Sequence, residues 1–399
     1  MEASIFRLRH RDILALCVLS LLAIGLIMVQ SASSQITGDL KWQWSILGAK
    51  HLRFVIASAT TFLLVGRFDY AWLARQRKTP IRSPILWAMI IAIVLCTAVL
   101  IPHVGVQLNG ARRWIRLGPV QLQPSELAKW ATVLFLAYWL TYRHPGDRFF
   151  RGFLPTVAPI GVLCLLVVIK DFGTAVLIAS CALTMFLAGS VRKRHLAIVL
   201  LPALAGAGWF LLHKAYRMDR VMAFMDPWAS PQGKGYHMIQ SLLSFSSGGL
   251  FGRGLGNGVQ KLGYLPEDTT DFIFSIICEE LGLFGAMLTI ALYMGVLFVA
   301  WQVIKQKRDE FGKMLAFGTA SMLGLQAVIN VAVATVSVPT KGLSLPLVSA
   351  GGTGLVITCA ALGLLYSVTR FAHGAQAVAQ DHEPIDQPRE PEPMQRLAA

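Results

Sequence analysis

Residues 264–282 read YLPEDTTDFIFSIICEELG and hold five carboxylates, Glu267, Asp268, Asp271, Glu279 and Glu280, in a chain with only 21 Asp and Glu among its 399 residues. Asp271 falls where a long apolar stretch begins. A carboxylate there can cap the helix, with Thr269 and Thr270 beside it, or act as a general base at the mouth of a membrane cleft. Capping is the commoner use of such a residue; the other acids nearby favour the base. Asp271 and Glu279 stand eight positions apart, about two helical turns, so they are expected to share a face and to raise one another's pKa. Glu279 and Glu280 lie within the apolar stretch, where an unpartnered carboxylate is costly. They are expected to pair with Lys or Arg from another helix.

Cations gather in three other segments. NGARRWIRLGPVQLQPSE (109–126) carries Arg112 and Arg113 before Trp114, and SVPTKGLSLPLVS (337–349) carries Lys341. A guanidinium fork matches phosphate oxygens, so the two arginines with Lys341 suit a diphosphate. The competing reading is a snorkelling pair at the interface, anchored by Trp114. Arg220 belongs to the polar segment 214–270, whose basic residues break the surrounding charge pattern and are candidate ligand-binding groups. Glu126 and Lys129 form an i, i+3 pair expected to be a buried ion pair. Asp171 in KDFGT is either a cap or a second polar cavity residue, kept ionised by Lys170. The string GGLFGRGLGNG (248–258) lacks the spacing of a dinucleotide loop, and no HExxH, GxSxG or Walker motif occurs.

The elements that must position these groups are membrane helices. The composition is 55% hydrophobic and 14% charged, with a mean hydropathy of +0.58, outside the range of ordinary soluble domains. Apolar runs suited to crossing about 30 Å of hydrocarbon occur near 13–33, 48–66, 84–102, 125–142, 153–169, 172–190, 196–213, 272–304, 313–336 and 350–370. The expected fold is all-α, a polytopic membrane protein of about ten transmembrane helices with a long extracytoplasmic loop between helices 7 and 8. Residues 1–12 form a cytoplasmic N-terminus, 13–370 a single membrane domain, and 371–399, rich in Pro and Glu, a disordered cytoplasmic tail. Within the loop, YHMIQSLLSF has the pattern of a short interfacial helix. The net charge of +15 lies mostly in alternate short loops, as the positive-inside rule requires, so nucleic acid is not an expected partner. All six cysteines fall in the apolar runs and read as small apolar residues.

Together, NGARRWIRLG…QPSELAK, DFGTA, GGLFGRGLGNGVQK…YLPEDTTDFIF…EELG and VPTKGLSLPLVSAGGTG, in that order, resemble the SEDS (shape, elongation, division and sporulation) family over residues 10–370. GLIMVQSAS and NGARRW look more like its division branch than its elongation branch. The resemblance implies a peptidoglycan glycosyltransferase that polymerises lipid II at the outer face of the bacterial inner membrane. It marks Asp271 as essential, Arg112, Arg113 and Lys341 as the family's cationic positions, and Ser125, Glu126 and Lys129 as a supporting motif. It further implies a class B penicillin-binding transpeptidase and divisome or elongasome proteins as partners. A divalent cation such as Mg²⁺ is left open. Ala350, Lys170 and His237 depart from the residues usual in the family and leave local cavity details open. A lipid II flippase and a scaffold for the transpeptidase are the rival readings.

Overall fold

The computed structural model describes residues 9–33, 46–74, 83–108, 111–118, 120–143, 148–212, 215–233, 235–306, 309–340 and 342–371. Twelve α-helices follow one another among them: α1 (His10–Ser33), α2 (Ile46–Val65), α3 (Pro84–Ala98), α4 (Pro124–Arg143), α5 (Leu154–Val168), α6 (Phe172–Ala188), α7 (Lys193–Leu212), α8 (Ala215–Met225), α9 (Tyr236–Gly248), α10 (Ile273–Lys305), α11 (Glu310–Ala334) and α12 (Thr353–Phe371). A helix stands at each of the ten apolar runs read from the sequence, and α8 and α9 both fall within the segment expected as a loop. By length and composition, α1, the stretch Phe149–Val168, α10, α11 and α12 can cross a membrane; α3 and α6 are apolar but shorter. Leu16, Ile56, Leu165 and Leu288 point outward without cover, which suits helices whose solvent is hydrocarbon. The core forms where α1 packs on α10, α2 on α12, and α4 on α11.

The expectation of an all-α chain fails at one end of the bundle. There β1 (Gly105–Leu108), β2 (Ala111–Leu117) and β3 (Val120–Leu122) form an antiparallel sheet in the order β1-β2-β3. Leu108 pairs with Ala111 across the dipeptide Asn109-Gly110, the residue pair that two-residue hairpins favour. Gly118, at φ 63°, turns β2 into β3 at a conformation that costs other residues more. Local strand pairing satisfies the backbone of this segment without a helix.

The fifth and sixth apolar runs are separate helices. Asp171 N-caps α6, its carboxylate accepting from the Thr174 N–H at 3.1 Å and the Thr174 hydroxyl at 2.8 Å. The far end of the bundle is tied by Tyr70, whose hydroxyl donates to Asp309 at 2.8 Å, while Asp309 itself caps α11.

α10 is broken at Gly282, which sits at φ 65°, ψ −160°. The loop after α9 fills the break: the N–H groups of Arg253 and Gly254 donate to the carbonyls of Glu279 and Glu280, each at 3.0 Å, and the Leu283 N–H donates to Gly249 at 3.0 Å. A helix interrupted at membrane depth needs such replacement partners. The approach is so close that a Cβ on Gly252 would lie 2.1 Å from the Glu280 carbonyl oxygen, and one on Gly282 would lie 2.3 Å from the Gly252 nitrogen. The glycine string that lacked dinucleotide spacing therefore serves as a backbone splint.

Candidate active site

A cleft of ≈ 310 Å³ opens at the end of the bundle that carries the sheet. Its wall includes Arg113 from β2, Glu126 from α4, Arg220 from α8, Glu267 and Asp271 before α10, Gln326 from α11, and the irregular run 342–347. Residues distant in sequence meet here because two irregular segments are fastened together. Ala350 N–H donates to the Thr269 carbonyl at 3.0 Å, and the Ser349 hydroxyl donates to Thr270 at 2.6 Å. Asn330 Nδ2 donates both to the Asp271 carbonyl at 2.8 Å and to the Leu343 carbonyl at 2.7 Å.

Asp271 does not cap α10. The N-cap is Phe272, with no side-chain hydrogen bond to the helix, so the carboxylate stays available to the cleft. Burial raises its pKa from 3.8 to about 7, with Glu267 and Asp171 pushing the same way and Arg113 and Arg220 pulling against them. A carboxyl titrating near neutrality is suited to taking a proton from a hydroxyl. Its carboxylate neighbours are therefore Glu267 and Asp171, rather than the Glu279 expected from helical spacing. The expectation failed because Asp271 precedes the helix, and Glu279 is enclosed elsewhere.

A β-bulge interrupts β2 at Arg113, since Val106 pairs with Trp114 and Gln107 with Arg112, and it re-aims the side chains there. Arg113 lines the cleft, and both Arg113 and Arg112 line a small recess beside it with Cys96, Pro124 and Leu166. Arg113 Nε donates to the Lys170 carbonyl at 2.9 Å, and its Nη1 lies 3.6 Å from Asp171 Oδ2. The ion partner of Asp171 is thus Arg113 and not the adjacent Lys170, which contributes its backbone. Arg220 reaches across from α8 to the Thr340 carbonyl at 3.2 Å. Lys341, one residue further on, lies outside the described residues. Gly342 stands between the charges: a Cβ there would be 3.4 Å from Asp271 Oδ2 and 3.5 Å from Arg113 Nη1.

The QPSELAK motif acts from behind. Lys129 is fully buried and lies 2.8 Å from Glu126 Oε1, as the i, i+3 spacing predicts, and it donates to Gln326 Oε1 at 2.7 Å. Gln326 in turn donates to the Ser344 carbonyl at 2.8 Å. These partners hold the buried ammonium, whose charge would otherwise be left uncompensated. The chain from Glu126 to Ser344 fixes the run 342–347 against α4 and α11. Ser125 accepts from Gln123 Nε2 at 3.0 Å and so orders the entry to α4.

Glu279 and Glu280 are fully buried and belong to a second network. Lys261 Nζ lies 2.6 Å from Glu280 Oε1. The Ser31 hydroxyl of α1 reaches Glu280 at 2.8 Å, and Gly256 N–H donates to it at 3.0 Å. Glu279 accepts from Val259 N–H at 2.9 Å and lies 3.7 Å from Arg253. Their cations come from the loop after α9 rather than from another helix, because the splint at Gly282 brings that loop against them.

Glu126 and Asp171 already hold cations, and no group of three or more His, Cys, Asp or Glu is placed to hold a metal ion among the described residues. Reasoning from sequence missed Gln326 and Asn330. The signal was there, as two carboxamides four positions apart within an apolar helix share one face and imply a polar partner.

The chain belongs to the FtsW/RodA/SpoVE family, whose profile, described as "Cell cycle protein", matches residues 11–374. It is therefore an integral membrane protein. Among its relatives, the "Probable peptidoglycan glycosyltransferase FtsW" of Nitrosococcus halophilus is 38% identical over 361 residues, 88% of this chain and 91% of the relative. The stage V sporulation protein E of Bacillus subtilis is 37% identical over 364 residues, covering 90% and 97%. A solved chain described under "Structural coordination of polymerization and crosslinking by a peptidoglycan synthase complex" matches with a TM-score of 0.70 at 27% identity, covering 90% of this chain and 97% of its own. The rod shape determining protein RodA of Thermus thermophilus matches with a TM-score of 0.63 at 26% identity, covering 90% and 96%.

Proposed function

We propose that this protein is a peptidoglycan glycosyltransferase that joins lipid-carried disaccharides into glycan strands. The observation that carries the reading is Asp271, uncapped, titrating near neutrality and facing a cleft that also holds Arg113 and Arg220. Asp271 takes the proton from the 4-hydroxyl of the acceptor GlcNAc as that oxygen attacks the anomeric carbon of the donor MurNAc, with inversion. The bond to undecaprenyl diphosphate breaks, and its electron pair leaves with the diphosphate. Arg113 and Arg220 stabilise that developing charge in a partly dry site, and Lys341 is assigned the same task from its place beside Gly342. Arg112 lines the neighbouring recess and not the cleft, so it is assigned no contact with the leaving group.

Ten helices, all but α8 and α9, cross the inner membrane as one domain over 13–370. Both termini lie in the cytoplasm, the cleft faces outward, and the outer loop runs between α7 and α10. The charge pattern of the short loops supports this orientation. A class B penicillin-binding transpeptidase and the division or elongation machinery are the partners assigned to it, on the strength of a solved neighbour described as a complex of polymerization and crosslinking. Glu279 and Glu280, closed off by Lys261, Arg253 and backbone donors, line no open path, which favours a polymerase over a flippase.

The test is polymerisation of purified lipid II. Asp271→Asn is expected to lower the rate about 10²–10⁴-fold, the usual contribution of a positioned base. A folded Asp271→Asn protein polymerising at the wild-type rate removes the proposed role.

A further inference from the structure

Beside the main cleft lies a second pocket of ≈ 120 Å³, lined by Lys50, His51 and Phe54 of α2, Trp114 and Gln121 of the sheet, and the run 350–352. It shares Trp114, Ala350 and Gly351 with the cleft and lacks Asp271, Arg113 and Arg220. The two are neighbouring lobes separated by an indole.

The chemistry of its lining is unusual for α2. His51 is 3% exposed, and its Nε2 is buried with no hydrogen-bond partner among the described residues. A buried imidazole nitrogen without a partner is costly, and native structures rarely carry that cost without a use. Lys50, one residue before, is exposed at the rim. Neither residue takes part in the ion pairs and hydrogen bonds that hold the cleft together. Further along α2, Ile56, Leu63 and Leu64 are exposed, as suits a helix whose outer side faces hydrocarbon.

We propose that this pocket is a second substrate subsite, which holds the saccharide-diphosphate end of the acceptor while Asp271 engages the acceptor's far sugar. The inference rests on the glycosyltransferase reading, which requires two lipid-carried saccharides at once. The donor's diphosphate must lie at the reacting carbon, beside Arg113 and Arg220. The acceptor's diphosphate lies a disaccharide away from its attacking hydroxyl and needs its own polar place. His51 Nε2 bonds to a phosphate or sugar oxygen, Lys50 pairs with the diphosphate, and Trp114 packs against a sugar face between the lobes.

The experiment uses full-length protein in nanodiscs and a short-chain lipid II analogue. In the Asp271→Asn background, saturation is expected at two analogue molecules per protein. Adding Lys50→Ala or His51→Phe is expected to bring it to one, with thermal melting unchanged. Saturation at one in the Asp271→Asn protein, or at two in both further variants, overturns the subsite. In otherwise wild-type protein, Lys50→Ala is expected to raise KM for lipid II about tenfold and change kcat less than about twofold, the mark of lost ground-state binding. A fall in kcat at constant KM would also overturn it. Wild-type polymerisation by Asp271→Asn would remove the general base while leaving the stoichiometry to decide the pocket.

Discussion

Asn330 holds Asp271 by its backbone: a single amide nitrogen on α11 lies 2.8 Å from the Asp271 carbonyl and 2.7 Å from that of Leu343. The base and the run beside Arg113 are thus set from one point. Asn330→Ala is expected to leave two carbonyls short of a donor, at about 1–3 kcal/mol each when buried. Misplacing a reacting group by an ångström can cost about 10²-fold. Melting in detergent should fall and kcat should drop while KM changes little. Unchanged kcat would show that Asp271 is held by other contacts.

The raised carboxyl also sets a pH dependence. As a base, Asp271 must be ionised, so kcat/KM is expected to climb with unit slope toward its pKa of about 7 and level off above it. Stability runs the other way. The unfolded group releases its proton near 3.8 while the folded one keeps it to about 7. Its contribution therefore favours folding least above 7, and stability declines as pH rises through that window. Asp271→Asn should flatten this part of the stability profile. A wild-type rate profile that is flat from roughly pH 5 to 9 would exclude the base.

Because Arg113 lines the cleft and Arg112 does not, Arg112→Ala and Arg113→Ala should differ. Arg113→Ala is expected to cost about 10²-fold in kcat, the scale seen when a donor to developing charge is lost. Arg112→Ala should cost well under tenfold. Gly342→Ala places its methyl between Asp271 and Arg113 without striking backbone, so it should slow the reaction in a protein that melts normally. Equal losses for the two arginines, measured as initial polymerisation rates, would contradict the division.

Lys261 and Glu280 form a fully buried pair. Removing one partner of such a pair typically costs about 3–5 kcal/mol, and replacing both with apolar residues costs much less. Lys261→Met should therefore destabilise sharply, and Lys261→Met with Glu280→Leu should recover part of the loss. Thermal unfolding of the three proteins decides the matter; a double variant no better than the single one would argue against a paired charge.

The local features were legible before any coordinates. Glu126 and Lys129 are three residues apart on a helix, and their pairing follows from helical geometry. The apolar runs located ten of the helices. Arg112 and Arg113 were read together because the segment was taken as a loop, although Asn109-Gly110 between alternating residues is a hairpin signal. The meeting of Asp271 with Arg113, Arg220 and Asn330 could not be derived, since it depends on how distant segments pack. The partners of Glu279 and Glu280 were hidden for the same reason: no periodicity announces that a loop will complete a broken helix.

The contact between Gly252 and Gly282 is of a kind that compensation cannot repair. An ion pair can be reversed, and a cavity refilled from the other side. Here each residue occupies the room that the other's side chain would need, and both backbones sit at positive φ. A change at either position cannot be rescued by a change at its counterpart, so the two are locked together as a single inheritable unit.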